Sequence, residues 1–214
     1  MDDVLIYGAG GFAREVAWLA SCTSGADACR VVGFVDDNPA SAGTSIQGLP
    51  VLGLEQARDA FPGAAMVGGV GAPELRRRLM EKAAAAGFGF RRLVHPRVER
   101  GPAVEIGEGA VICAGCILTT DIRVGAHAQI NLACTLGHDV LLGDFATLAP
   151  GVHVSGCVHV GAGAYIGTGA SIINGTAAEP LVIGEGAVVG AGACVVRPVP
   201  PGVTVVGVPA RARV

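Results

Sequence analysis

Aliphatic residues recur at every sixth position through the second half of the chain: Ile106, Ile112, Leu118, Val124, Ile130, Leu136, Leu142, Leu148, Val154, Val160, Ile166 and Ile172. Four positions after most of them stands a small residue, as at Ala110, Cys116, Ala128, Cys134, Ala146, Ala164 and Ala170, and glycine often follows the aliphatic directly. A hexapeptide period of this kind predicts a parallel β-helix, in which each hexad forms one short strand and a turn, and three hexads close a triangular coil of 18 residues. An ordinary run of buried strands would alternate with period two and vary in spacing. The phase is lost after Ile172 and returns at Ile183, Val189 and Val195, which places about five extra residues in a loop near Gly175 to Pro180.

Before His95-Pro96 the pattern is different. Val4–Tyr7, Val31–Val35, Ala64–Val70 and Phe90–Val94 read as strands. Gly11–Ala20, Leu54–Phe61 and Pro73–Ala86 read as helices, the first with Phe12, Val16 and Leu19 at helical spacing and the last opened by a proline. Alternating strand and helix implies a parallel α/β sheet. The expected organisation is a small Rossmann-like domain over residues 1–94 and a β-helix over residues 95–214.

Composition agrees with so many turns and narrows the function. Of 214 residues, 34 are glycine and only 4% are aromatic, so the core must be filled by Val, Ile, Leu and Ala. The formal net charge of -3 gives no basic field for nucleic acid. Mean hydropathy is positive, but Gly, Pro and charges break every apolar run, and the Met1-Asp2-Asp3 start lacks the basic residues of a signal peptide. A cytoplasmic protein without membrane insertion is expected. The seven cysteines are odd in number and sit mostly among Ala and Val; Cys113 and Cys116 form one C-x-x-C with no second pair, so buried thiols and no metal site are expected.

Candidate chemistry lies in both halves. Gly8-x-Gly10-x-x-Ala13 follows a strand and opens a helix, the arrangement that cradles a phosphate. The domain has room for one mononucleotide half and carries no hydride-transfer constellation, so a nucleotide-sugar pyrophosphate fits it better than a dinucleotide. Gly8, Gly10, Gly11 and Phe12 are the substrate-binding candidates there. Asp36 and Asp37 end the second strand, either as acceptors for a ribose or base or as a solvated turn with Asn38-Pro39. Gly69-Val70-Gly71 offers a second cradle, with Gly71 the candidate, and Arg76, Arg77 and Arg78 read as a solvated face. In the second half His138 stands two positions after Leu136, in neither interior slot of the repeat, and so faces outward. His127, His153 and His159 read as inert surface histidines. One coil above His138 is Gly156, either a plain turn glycine or a backbone donor beside the ring.

The chain resembles the left-handed hexapeptide acetyltransferases. More narrowly, it is similar to the nucleotide-sugar N-acetyltransferases and sialic acid O-acetyltransferases that carry a Rossmann-like front domain. The matching stretches are Ile6-Tyr7-Gly8-Ala9-Gly10-Gly11, Val35-Asp36-Asp37, Leu93-Val94-His95-Pro96, Ile130-Asn131, Gly137-His138-Asp139, Leu142-Gly143-Asp144-Phe145, Ala149-Pro150-Gly151 and Val206-Gly207-Val208-Pro209-Ala210. The left hand of the coil comes from this resemblance alone, since parallel crossovers are otherwise right-handed. The resemblance implies acetyl-CoA as co-substrate, a nucleotide-linked 4-amino-4,6-dideoxy sugar as acceptor, a homotrimer, and a role in surface glycan synthesis. His138 would be the general base, Asp139 its polariser, and the Gly156 N–H the donor to the oxyanion. Thr147 stands where the family often has histidine and Phe12 likewise; Thr147 is kept as an acetyl-CoA contact. Gly207, Val208, Pro209 and Ala210 would lie near the adenine end of CoA. The alternatives are a sugar O-acetyltransferase, a non-enzymatic scaffold and a sugar-nucleotide sensor.

Overall fold

In the computed structural model of the chain, which describes residues 1–41 and 43–213, the first half is built on one twisted sheet. Its elements are β1 (Asp2–Tyr7), α1 (Gly11–Cys22), β2 (Cys29–Val35), β3 (Ser45–Ile46), β4 (Leu49–Leu52), α2 (Leu54–Ala60), β5 (Ala65–Gly68) and α3 (Pro73–Ala85). The strand order is β3-β4-β2-β1-β5, parallel except for the β3–β4 hairpin. β1 lies between β2 and β5 and buries Val4, Leu5, Ile6 and Tyr7 in succession, as a strand covered on both faces must. α1 packs Ala13, Val16, Ala17, Leu19 and Ala20 on one face of the sheet. The sequence pattern missed β3 and β4, whose signal is local turn chemistry: Gln47 and Gly48 both have positive φ (52° and 78°), as a tight hairpin requires.

The stretch Phe90–Val94, expected as one strand, is divided. Phe90 makes a single bridge to Met66 of β5, whereas Leu93–Val94 pairs with Val111–Ile112 in the first coil of the second half.

That second half is a parallel β-helix of strands two or three residues long, arranged among the described residues in three sheets. The hexad ladder stacks in register: Val94, Ile112, Ile130, Leu148 and Ile166 follow one another on one side, each 18 residues on. Then Ile166 pairs with Val189 and Val160 with Ile183, so the loop ahead of Leu181–Ile183 adds five residues without breaking the ladder. From Ile112 to Ile172 the hexad aliphatics are at most 3% exposed and the small residues four positions on are fully buried. Each buried aliphatic contributes roughly 1.5–3 kcal/mol. Small residues are needed because the coil interior is narrow. At one corner even a methyl is too large: a Cβ on Gly143 would lie 2.5 Å from the Ala162 nitrogen of the next coil. Arg211–Ala212 turns back antiparallel on Thr204–Val206 and ends the last coil.

The two halves share cores. Val111, Cys113 and Leu132 of the β-helix pack into the α1 face of the sheet, and Phe145 packs into the face covered by α3. No helix among the described residues is long and apolar enough to cross a membrane.

Candidate active site

His138 lies on the turn after the short strand Thr135–Leu136, with its side chain 60% exposed. The next residue, Asp139, has φ of 57°, which curls the turn so that its carboxylate Oδ2 comes 2.8 Å from His138 Nδ1. In the neutral ring this contact favours the tautomer with the proton on Nδ1, held by the carboxylate, which leaves Nε2 its lone pair. Gly156 stacks directly over the imidazole: a Cβ there would lie 2.5 Å from Nε2 and 2.6 Å from Cε1. The glycine is therefore a steric requirement of the ring, not a turn requirement, since its φ is not positive. Its carbonyl accepts from Gly175, but among the described residues its own N–H has no hydrogen-bond acceptor. An outward imidazole with an oriented ring, beside a free backbone donor, is suited to moving a proton next to a developing oxyanion. Cys157, adjoining, is buried, and its N–H donates to the His138 carbonyl.

At the carboxyl ends of β1 and β5 two glycine turns meet. A Cβ on Gly8 (φ 121°) would come 2.9 Å from Val70 Cγ2. Gly10 caps α1 with no side chain to offer, and among the described residues the first-turn N–H groups of Gly11, Phe12 and Ala13 have no hydrogen-bond acceptor. The space beside the Cα of Gly10 and of Gly71 is empty to 4 Å. This is the crevice in which an α/β sheet binds an anionic ligand. Phe12 is half-buried and packs partly into the α1 core.

The two aspartates after β2 separate in role. Asp36 Oδ1 accepts from the Asn38 N–H, which leaves its other oxygen uncommitted. Asp37 is tied down: Tyr7 Oη donates to its Oδ1 at 2.9 Å and Lys82 Nζ at 2.7 Å. Burial and this carboxylate together push the Tyr7 phenol well above its usual range.

Three expectations are corrected by burial. Arg76 is no solvated side chain; it is 1% exposed and lies between the two halves. Its guanidinium donates to the carbonyls of Val70 (2.9 Å) and Gly71 (3.1 Å) in the front domain. It also donates to the carbonyls of His127 (2.9 Å) and Phe145 (2.6 Å), to Gln129 Oε1 (2.8 Å) and to Thr147 Oγ1 (3.0 Å) in the β-helix. Among the described residues no carboxylate bonds to it, and burial lowers its pKa to about 9. Thr147, expected to touch acetyl-CoA, is 1% exposed, and its hydroxyl donates to the Gly71 carbonyl at 2.9 Å. His127 is no surface residue either: it is buried, stacked on Phe145 with ring centroids 4.9 Å apart, and edge-on to Phe90. Among the described residues its Nδ1 has no hydrogen-bond partner. Gln129 Nε2 donates to the Gly68 carbonyl, so β5 and its glycine turn are fastened to the same coils that carry His138.

Sequence reasoning missed this network, although a signal was present. On α3 the buried positions are Arg76, Met80 and Ala83, so Arg76 continues the apolar stripe at helical spacing. The segment Gly207–Ala210 lies apart, hooked to Cys194: the Cys194 N–H donates to the Gly207 carbonyl and the Ala210 N–H to the Cys194 carbonyl. Val208 beside them is 76% exposed.

Residues 3–83 match the family model described as the PglD N-terminal domain. The GDP-perosamine N-acetyltransferase of Escherichia coli O157:H7 is 33% identical over 215 residues, spanning 96% of this chain and 94% of the relative. The structure of WeeI from Acinetobacter baumannii AYE superposes with a TM-score of 0.90 at 35% identity, covering 100% of both chains. PerB from Caulobacter crescentus, solved in complex with CoA and GDP-perosamine, superposes with a TM-score of 0.86 at 32% identity, covering 100% of this chain and 98% of PerB.

Proposed function

The chain belongs to the nucleotide-sugar N-acetyltransferases that join a PglD-type front domain to a left-handed hexapeptide-repeat β-helix, and from that premise we propose that it moves the acetyl group of acetyl-CoA onto the amine of a nucleotide-linked 4-amino-4,6-dideoxy sugar. GDP-perosamine is the first acceptor to test, since PerB is solved with that compound and CoA. The observation that carries the reading is the His138–Asp139 pair beneath Gly156, on a fold that matches this enzyme over its whole length.

In this route His138 Nε2 takes the proton that the sugar amine loses as its nitrogen bonds to the thioester carbonyl carbon. Asp139 holds the Nδ1 proton and stabilises the imidazolium so formed. The Gly156 N–H donates to the oxyanion of the tetrahedral intermediate, which collapses with loss of the CoA thiolate. The thiolate then takes the proton from the imidazolium, and the base is restored. No step uses a metal. The pyrophosphate of the acceptor lies at the α1 N-terminus, on the open N–H groups beside Gly10, Gly11 and Phe12, between the Gly8 and Gly71 turns. Asp36 is the acceptor for a ribose or base donor, and Asp37 holds the turn through Tyr7 and Lys82. Acetyl-CoA extends towards Gly207–Ala210, where Val208 presents an exposed apolar surface.

The working form is a homotrimer in the cytoplasm, where acetyl-CoA and sugar nucleotides are made. The exposed apolar residues Ile117, Leu141 and Val182 on the sides of the β-helix support the assembly. Incubation with acetyl-CoA and GDP-perosamine should yield one acetylated sugar nucleotide and one equivalent of CoA. A protein that acetylates none of the GDP-, UDP- and dTDP-linked 4-amino sugars would overturn the reading and leave a sugar O-acetyltransferase, a scaffold or a sensor.

A further inference from the structure

A third metal-ligating atom converges on the side of the His138 ring away from Nε2. Cys157 Sγ lies 4.0 Å from His138 Nδ1 and 4.0 Å from Asp139 Oδ2, which are themselves 2.8 Å apart. A point equidistant from these three atoms lies about 2.1 Å from each, close to ordinary Zn–N and Zn–O bond lengths and slightly inside a Zn–S bond. The thiol is held there: Cys157 is 6% exposed and its N–H donates to the His138 carbonyl at 2.9 Å. Its φ of 55° is a backbone region that Asn, Asp or Gly occupy more readily, so local conformation does not account for a cysteine at this position.

We propose that His138 Nδ1, Asp139 Oδ2 and Cys157 Sγ form an inhibitory site for a borderline divalent metal ion such as Zn²⁺ or Co²⁺. Nitrogen and sulfur donors select such ions over Mg²⁺ or Ca²⁺, which prefer oxygen. Thiolate, carboxylate and neutral imidazole together neutralise the dication, and one proton leaves, from the thiol. The imidazole stays neutral but changes tautomer: the metal takes Nδ1 and the ring proton moves to Nε2. Nε2 then has no lone pair with which to accept a proton from the acceptor amine.

The inhibition rests on His138 acting as base through Nε2; the ligation does not. Two measurements keep the two apart. Co²⁺ titrated into the protein before any CoA is added should give a thiolate-to-cobalt absorption band saturating at one equivalent. The band should be absent in Cys157→Ser and retained in Cys113→Ser, and Zn²⁺ but not Mg²⁺ should displace it. Acetylated product, followed by mass spectrometry, should form with a kcat lowered about 10²-fold or more by Zn²⁺ and be restored by a chelator, with Cys157→Ser resistant and fully active. No cobalt band, or a band that survives in Cys157→Ser, sinks the site whatever the activity. A Cys157-dependent band with Zn²⁺-insensitive turnover sinks the inhibition.

Discussion

A methyl group at position 156 would sit 2.5 Å from His138 Nε2, closer than any real contact, and the flexible partner is the imidazole. Gly156→Ala should therefore push the ring off its place while the inward-facing ladder on either side, Val154 and Val158, stays packed. The expected result is a loss of kcat with an unchanged melting temperature; a variant with wild-type turnover would remove Gly156 from the site. His138→Ala should lower kcat by about 10²–10⁴ with a smaller change in acceptor KM, and Asp139→Asn should cost less because the imidazole remains. Steady-state kinetics with both substrates varied separates these outcomes. His127 makes a prediction of a different kind. Burial is the main reason its charged form is disfavoured and its pKa lowered, with Arg76 acting in the same direction and Glu108 and Asp144 opposing. The folded chain thus binds fewer protons than the unfolded chain once pH falls below the ordinary imidazole value, so stability is complete above that value and declines below it. Thermal melting of His127→Asn, whose side chain tolerates the φ of 54° and does not titrate, should show a shallower loss than wild type between about pH 7 and pH 5. Parallel curves would count against a titrating His127.

At the scale of elements, α3 is the piece that fastens one half to the other, and Arg76 is its anchor. The guanidinium satisfies carbonyls of the glycine turn after β5 and of two β-helix coils at once. Arg76→Met keeps much of the volume but leaves the buried Val70, His127 and Phe145 carbonyls without a donor, each costing about 1–3 kcal/mol, while the Gly71 carbonyl keeps Thr147. A destabilisation of at least about 3 kcal/mol is expected in denaturant unfolding. In the protein that remains folded, the KM for the nucleotide sugar should rise more than that for acetyl-CoA, because Val70 and Gly71 line the crevice at the α1 N-terminus. Equal changes in both would make Arg76 a structural brace alone. Thr147 belongs to the same fastening: its hydroxyl reaches Gly71 across the junction.

For the whole molecule, the flat sides of the β-helix carry exposed aliphatics that a single chain leaves uncovered, Ile117 at 40% and Val182 at 42% among them. A trimer would bury them, and sedimentation velocity should show one species of three chains at micromolar concentration. A stable monomer there would overturn the trimer.

The hexad period by itself determined the β-helix, the phase-shifting loop and the stacking of Gly156 over His138. In a coil of fixed length, sequence separation converts directly into vertical alignment, so a strict period is already a three-dimensional statement. The same logic made β1, α1 and the Gly8–Gly10 turn legible, because hydrophobic spacing and glycine chemistry act locally. The fates of Arg76, Thr147, His127 and Asp37 were decided by the tertiary structure. Each is a polar residue whose burial depends on which surface of another body meets it, and a pattern along the chain reports only which face is apolar. The three arginines at 76–78 are alike in sequence, yet the helix lays Arg77 over the Phe145 ring, leaves Arg78 exposed and buries Arg76 in the junction, where seven acceptors from both halves await one guanidinium.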